Sequence, residues 1–305
     1  MLDIIKEFFT ADFLFTVIRV GTPLLYASMS AYVASLAGIP NIAVEGIMIF
    51  GALFGVYFSA IFASSWLGLG GVILIGVISA FVLAFFTMKL KASPIMIGIA
   101  LNLFASNFSL YLLKLWTGTK GTSASLPSKV LPTIEIPVIK DIPIIGEIIS
   151  GHYFLTYVCI ILVILLAILV YKTPFGLRMK ACGLDEHAAE SVGIKVNKVR
   201  LIAIILSGIF AALGGAYLSM GYMSIFSNNM TSSRGWTGIA AQAVGGMNLL
   251  IVVITTIIFS VAQGIVDALA IYDLPSELVN IIPYVIVLFT MVFLSIKESN
   301  KKKNN

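Results

Sequence analysis

Apolar residues run through this chain in long blocks, and polar residues collect between them. Eight blocks stand out, at 13–37, 42–63, 66–88, 95–115, 153–171, 201–224, 248–271 and 278–296. A bilayer core of about 30 Å is crossed by about 20 residues of helix, so each block is long enough to span. Segment 153–171, YFLTYVCIILVILLAILVY, carries no charged residue. The stretch 235–247, GWTGIAAQAVGGM, is weaker, being too short and too rich in glycine to span alone. The pattern predicts an all-α fold, a polytopic transmembrane helix bundle forming one domain over residues 1–305.

Lysine and arginine set the orientation. The loop 172–200 holds Lys172, Arg178, Lys180, Lys195, Lys198 and Arg200, and the tail holds Lys297, Lys301, Lys302 and Lys303. Basic loops stay in the cytoplasm, and Lys89 and Lys91 mark a third inner loop. The loop 116–152 differs: Lys120, Lys129 and Lys140 are balanced by Glu135, Asp141 and Glu147, and Pro127, Pro132, Pro137 and Pro143 punctuate it. It is expected outside. These placements agree only if 222–247 also crosses. The expectation is therefore nine crossings, with the N-terminus outside and the C-terminus cytoplasmic. With eight spans, and 235–247 as a surface loop, the lysine tail and the loop 172–200 would lie on opposite faces. Asp3, Lys6, Glu7 and Asp12 do not make the positive leader of a cleavable signal peptide.

Composition agrees with lipid as the solvent. Of 305 residues, 59% are hydrophobic and 11% charged, with mean hydropathy +1.06; soluble domains are about 45–50% apolar and about 25% charged. The net charge of +5 sits in loops between apolar blocks, which suits membrane orientation and not nucleic acid. Cys159 lies in an apolar run and Cys182 in a basic loop, so neither suggests a disulfide framework or a metal site.

Polar groups inside apolar blocks are the candidates for function, because each is costly in lipid unless paired or wet. Asn41 and Glu45 are four apart, on one helix face, just after the helix-breaking Gly38 and Pro40. A broken helix at depth is tolerated where it lines a cavity or is buried in protein. The stretches YASMSAYVASLAG (26–38) and FAALGGAYLSMGY (210–222) resemble each other weakly, and NIAVEG (41–46) aligns loosely with GIAAQA (238–243). That puts Gln242 at the matching place of a second half. Asn102 with Ser106, and Gln263 with Asp267, form further i, i+4 pairs. Two readings are open for Asn41, Glu45, Asn102, Gln242 and Gln263: a polar-lined substrate path, or interhelical hydrogen bonds that fix the bundle. Arg19 and Asp267 lie near helix ends and are expected to snorkel. Gly51 with Gly55, and Gly208 with Ala212 and Gly215, form small-residue stripes that predict close helix packing.

The loop 173–200 reads TPFGLRMKACGLDEHAAESVGIKVNKVR. Asp185 is a good N-cap and Gly193 a good C-terminal stop, with a short helix between them. Ala188, Ala189 and Val192 are expected on one side of it, as a small face for docking on another protein. His187 has no neighbour to orient it as a base, and no catalytic or metal-binding constellation is seen.

At this loop the sequence resembles the permeases of ABC importers. AAESVGI, reached through TPFGLRMKACG, is similar to the cytoplasmic coupling helix of the family that imports branched-chain amino acids, ribose-like sugars and nucleosides. RVGTPLLYASMSAYVASLAGIPNIAVEGIMIFGALFG (19–55) resembles that family's N-terminal signature, although GIPNIAVEG stands where GVINIGLEG is usual. IGIALNLFASNFSLYLL (97–113) resembles a signature of the nucleoside and simple-sugar branch. The resemblance implies a permease of the bacterial cytoplasmic membrane, and Gly183, Asp185, His187, Ala188, Ala189, Glu190 and Gly193 as the contact with a cytosolic ABC ATPase. It also implies a second permease subunit, identical or homologous, and an extracellular substrate-binding lipoprotein. No cofactor is expected. The chain has no GxxxxGK[ST] phosphate loop, so energy has to come from the partner. An ion- or proton-coupled carrier acting without an ATPase is the alternative, with Glu45 and Asp267 as its ion sites.

Overall fold

The computed structural model describes residues 10–137, 142 and 145–269, with positions 285 and 292. Eleven helices are found among the described residues: α1 (Ala11–Leu36), α2 (Val44–Ile61), α3 (Ser65–Ala84), α4 (Pro94–Thr117), α5 (Ile145–Ile149), α6 (Phe154–Lys172), α7 (Pro174–Leu184), α8 (Glu186–Ser191), α9 (Val196–Tyr217), α10 (Arg234–Gly245) and α11 (Leu249–Leu269). Single turns of π-helix, Phe85–Lys89 and Leu218–Tyr222, extend α3 and α9. Seven of the helices, α1, α2, α3, α4, α6, α9 and α11, are long and apolar enough to cross a membrane. They coincide with the first seven expected blocks. The eighth, 278–296, and the lysine tail lie outside the described residues apart from two isolated positions.

Local chemistry explains the helix ends. The Thr10 and Ser64 hydroxyls accept the N–H groups of Phe13 and Leu67 at the starts of α1 and α3. Pro94 and Pro174 open α4 and α7, where the missing N–H has no intrahelical partner to lose. Gly118 ends α4 at φ 75°, a left-handed cap that glycine adopts without steric cost. α9 starts five residues before the expected block, at Val196 rather than 201. Lys198 and Arg200, two of the basic residues that mark the loop in sequence, lie on the first turns of the helix itself, and Arg200 turns inward.

α9 is the hub of the bundle and packs on α1, α2 and α3. The small-residue stripes make this possible. A Cβ placed on Gly51 would strike the Ala212 backbone, one on Gly215 would strike Met48, and Gly76 and Gly208 face each other with the same closeness. Where water exerts no drive between helices, such close backbone approach supplies the attraction by van der Waals packing. α4 and α6 are peripheral, with Leu103, Phe104, Ile161, Ile164 and Leu165 exposed for lipid or protein.

The loop 116–152 contains a small β element within the otherwise helical fold. Strands β1 (Thr133–Ile134) and β2 (His152–Tyr153) pair antiparallel, Thr133 with Tyr153. The loop clasps the segment after α9. The Ser123 N–H donates to the Phe226 carbonyl at 2.9 Å, and the Phe226 N–H donates to Ser123 Oγ at 2.8 Å.

Candidate functional site: a buried polar chain from a surface helix pair to a helix break

Helix α1 ends at Leu36 and α2 begins at Val44, and residues 37–43 join them as an irregular segment: the N–H groups of Ala37, Gly38 and Ile39 still bond back to Ala34 and Ser35, and helical bonding stops beyond them. Gly38 takes φ 84° and Pro40 lacks a donor, which explains the break. Buried backbone in such a segment needs partners, and the candidate side chains supply them.

Asn41 is buried at 1% exposure. Its Oδ1 accepts the Ala43 N–H at 2.9 Å and its Nδ2 donates to Ser207 Oγ at 2.8 Å. Ser207 also shares a hydrogen bond of 2.9 Å with Ser30, which ties the break to α1 and α9 together. Asn102 reaches across from α4. Its Nδ2 donates to the Ile42 carbonyl at 2.8 Å and its Oδ1 accepts the Gly46 N–H at 2.7 Å.

Glu45, buried at 8% exposure, caps another helix. Its carboxylate accepts Thr231 Oγ1 at 2.5 Å, the Ser233 N–H at 3.2 Å and the Gly235 N–H at 2.7 Å. The last two donors lie at the start of α10, where orphan N–H groups and the helix dipole favour an anion. Ser232 and Ser233 hold φ of 44° and 62°, uncommon values for residues with a Cβ, and Glu45 is what fastens this turn. A Cβ on Gly235 would meet the Glu45 backbone N and Cα at 2.6 Å, so the two elements touch backbone to backbone.

Gln242 lies on α10, half-buried, and donates to Ser35 Oγ at 3.1 Å. Gln263 donates to Asp267 at 3.2 Å within α11. Asp267 lines a separate cavity of about 390 Å³ with Thr10, Asp12, Thr16 and Arg19, and Arg19 also sits over the Tyr222 ring at 4.9 Å. Asn41, Glu45 and Asn102 thus converge on the break, and Gln242 joins α10 to the end of α1. Gln263 stands apart from them.

The loop 172–200 folds as two helices rather than one. The sequence reading anticipated α8 and missed α7, whose Pro174 opening and Thr173 cap on the Gly176 N–H were its available signals. Asp185 Oδ1 caps the Ala188 N–H at 3.0 Å and Gly193, at φ 83°, ends the turn after α8, both as expected. The anticipated small face is divided. Ala189 is buried at 3% exposure, whereas Val192 is 75% exposed and Ala188, His187 and Glu190 point outward. Successive residues lie about 100° apart around a helix, and Ala189 is the one turned to the bundle.

The helix pair is fixed directly to the break. A Cβ on Gly183 would run into the Leu36 carbonyl, and one on Gly38 would lie 3.2 Å from the Cys182 carbonyl and from Arg200 Nη2. Arg200 Nε donates to the Ala37 carbonyl at 3.1 Å and its Nη1 meets Glu186 at 2.7 Å. Cys182, packed here, is buried, and burial pushes its thiol pKa up. Sequence reading missed Arg200, Ser207, Thr231 and Gly235 as parts of this network. Arg200 was legible only as a positive charge, and the serine and glycine partners lie too far along the chain to be paired by spacing.

The arrangement consists of buried polar ties, a broken helix and a surface helix pair, and among the described residues of this site no nucleophile is grouped with a base. Seven membrane-length helices among the described residues define a polytopic membrane protein. The chain matches the model of the branched-chain amino acid transport system permease component over residues 13–291, and it belongs to that family. It is similar to the guanosine ABC transporter permease protein NupQ of Bacillus subtilis, with 29% identity over 88% of this chain and 87% of the relative. It is similar also to the nucleoside ABC transporter permease protein NupC of Lactococcus lactis, 28% identical over 90% and 88% of the two chains. A solved inward-facing ABC transporter described as of metal-chelate type shares the fold, with a TM-score of 0.53 at 19% identity over 92% of this chain and 84% of that one.

Proposed function

We propose that this chain is the membrane permease of an ATP-driven importer of nucleosides, working in a bacterial cytoplasmic membrane with a cytosolic ABC ATPase, a second permease subunit and an external substrate-binding lipoprotein. The observation that carries the proposal is the family match across nearly the whole chain, together with the nucleoside and guanosine permeases among its relatives. Simple sugars are the neighbouring substrate class. An ion-coupled carrier is not favoured, because Glu45 is engaged as a helix cap by three donors.

The surface of α8 that would meet the ATPase comprises Asp185, His187, Ala188 and Glu190, with Gly193 ending the turn. Gly183 and Ala189 serve the same coupling from the other side, by seating the knob on the bundle. A push on α8 passes through Gly183 and Arg200 to residues 36–38, then through Asn41 and Asn102 to Glu45 and the start of α10. These ties lie in a low-dielectric interior where breaking one leaves a costly unpaired group. The knob and the break would therefore move as one body. In this reading Asn41, Glu45, Asn102 and Gln242 form the wall of the pathway and hold its moving parts. Gln263 belongs to the outer end.

Nine crossings with a cytoplasmic C-terminus fit the same picture. α10, at 12 residues, covers about 18 Å, and the irregular stretch before it makes up the remaining depth. The stretch begins beside the outer loop, where the Asn228 N–H donates to the Gly121 carbonyl at 3.0 Å. It ends beside Lys172, where the Leu249 N–H donates to Tyr171 Oη at 3.0 Å.

Reconstitution tests the proposal. Liposomes holding the permease pair, the ATPase and ATP should accumulate labelled guanosine delivered by the lipoprotein. Uptake driven by an ion gradient with no ATPase present would overturn it.

A further inference from the structure

Beside the helix pair lies a cavity of about 640 Å³ lined by Phe175, Arg178, Lys195, Lys198 and Ile202, with Val192 and Gly193 of the turn after α8 at its edge. Its chemistry has two halves. Arg178, Lys195 and Lys198 form a cationic rim, and none of them makes an ion pair among the described residues; the nearby Glu186 is taken by Arg200. Phe175 and Ile202 form an apolar wall. Ile202 is 45% exposed and is the seventh residue of α9, a helix long and apolar enough to cross the membrane, and Phe175 lies three residues beyond the end of α6. The cavity therefore opens where the cytoplasmic headgroup layer would meet the acyl chains, given the inward placement of the loop 172–200.

We infer that this cavity is a binding site for an anionic phospholipid of the cytoplasmic leaflet, with the phosphate held by Arg178, Lys195 and Lys198 and an acyl chain laid against Phe175 and Ile202. A soluble phosphate would leave the apolar wall uncovered. A soluble protein partner would have to reach below the membrane surface to cover Ile202. A phospholipid satisfies both halves at once, and basic pockets of this kind on the cytoplasmic side of membrane helices suit anionic headgroups. The bound lipid would bridge α7 to the start of α9, the two elements that seat the coupling knob. The knob's resting position would then depend on the charge of the surrounding membrane. This inference goes beyond the transport proposal and needs only the cytoplasmic placement of the loop.

Lipid binding by the purified full-length chain is the test, read without any transport. The chain is placed in nanodiscs of phosphatidylcholine with rising fractions of phosphatidylglycerol, and retained lipid is measured by native mass spectrometry. Phosphatidylglycerol should be retained in preference to phosphatidylcholine. Each neutralised cation near an anionic surface weakens binding roughly fivefold, so R178Q/K195Q/K198Q should lose about a hundredfold in affinity. Lys198→Gln alone should lose roughly fivefold, which keeps the test open if the triple variant fails to fold. Unchanged retention by Lys198→Gln would overturn the inference. So would full displacement of the lipid by inorganic phosphate, which would mark a plain anion site. Loss of ATPase co-purification with lipid retention intact would mark a protein contact, and would overturn it as well.

Discussion

Glu45→Gln is the sharpest probe of the buried polar chain. The substitution keeps the shape of the side chain and replaces one carboxylate oxygen by an NH₂ donor. In the native site both oxygens accept: Oε1 from Thr231 and Ser233, Oε2 from Gly235. An amide can serve only one side. If its oxygen keeps Thr231, its NH₂ faces the Gly235 N–H donor and one buried donor goes unpaired. Hydrogen bonds to a charged group contribute about 1.5–3 kcal/mol each, and a favourable charge at a helix start adds about 0.3–1 kcal/mol. Losing one such bond and the charge costs about 3 kcal/mol. For a chain of this size that corresponds to a fall of about 5 °C in melting temperature, measurable by thermal unfolding in detergent with size-exclusion detection. If Glu45 acts in transport by holding α10, as its three donors there suit, ATP-driven uptake should fall in maximal rate, with the substrate concentration for half-maximal rate little changed. A variant with unchanged melting temperature, or one that alters only the half-saturating concentration, would refute the capping argument.

Four further outcomes follow from the same geometry. Arg200→Gln removes the link between Glu186 and the Ala37 carbonyl, and should leave ATP hydrolysis by the assembled complex running with uptake cut several-fold; intact coupling ratios would speak against the link. Ala188→Arg with Glu190→Lys changes only outward positions of α8, and should abolish co-purification of the ATPase while the permease still inserts and melts normally. Gly215→Val places bulk against the Met48 backbone and should prevent accumulation of folded protein, seen as loss of the monodisperse peak. His152 carries a pKa lowered chiefly by burial, so the folded state favours its neutral form. Below the ordinary value of about 6.5 the unfolded chain takes up a proton that the folded chain resists. Stability should fall as pH drops from 7.5 to 5.5, and His152→Phe should remove that part of the fall.

Apolar block length set the seven membrane-length helices among the described residues, because lipid demands about 20 residues of internally bonded backbone whatever the tertiary contacts are. The caps at Asp185, Gly193 and the Gly38–Pro40 break were legible for the same reason: each is a local steric or hydrogen-bonding preference of one or two residues. The small-residue stripes also announced close packing, although not which helices would meet.

What only the tertiary structure decided was the use of the polar groups. Asn41 and Glu45 share a helix face in sequence, yet Asn41 turns to Ser207 on α9 and Glu45 to the start of α10, because a break in the chain frees each to follow its own partner. Ala188 and Ala189 are chemically alike, and only the contact of α8 with the bundle makes one a surface residue and the other a seat. Arg200 reads as one more inner-loop cation until its distance to Ala37 and Glu186 is known. Hydrophobic patterning is a property of single segments and survives in one dimension; hydrogen-bond pairing across 160 or more residues depends on which helices touch, and that is fixed only when the bundle closes.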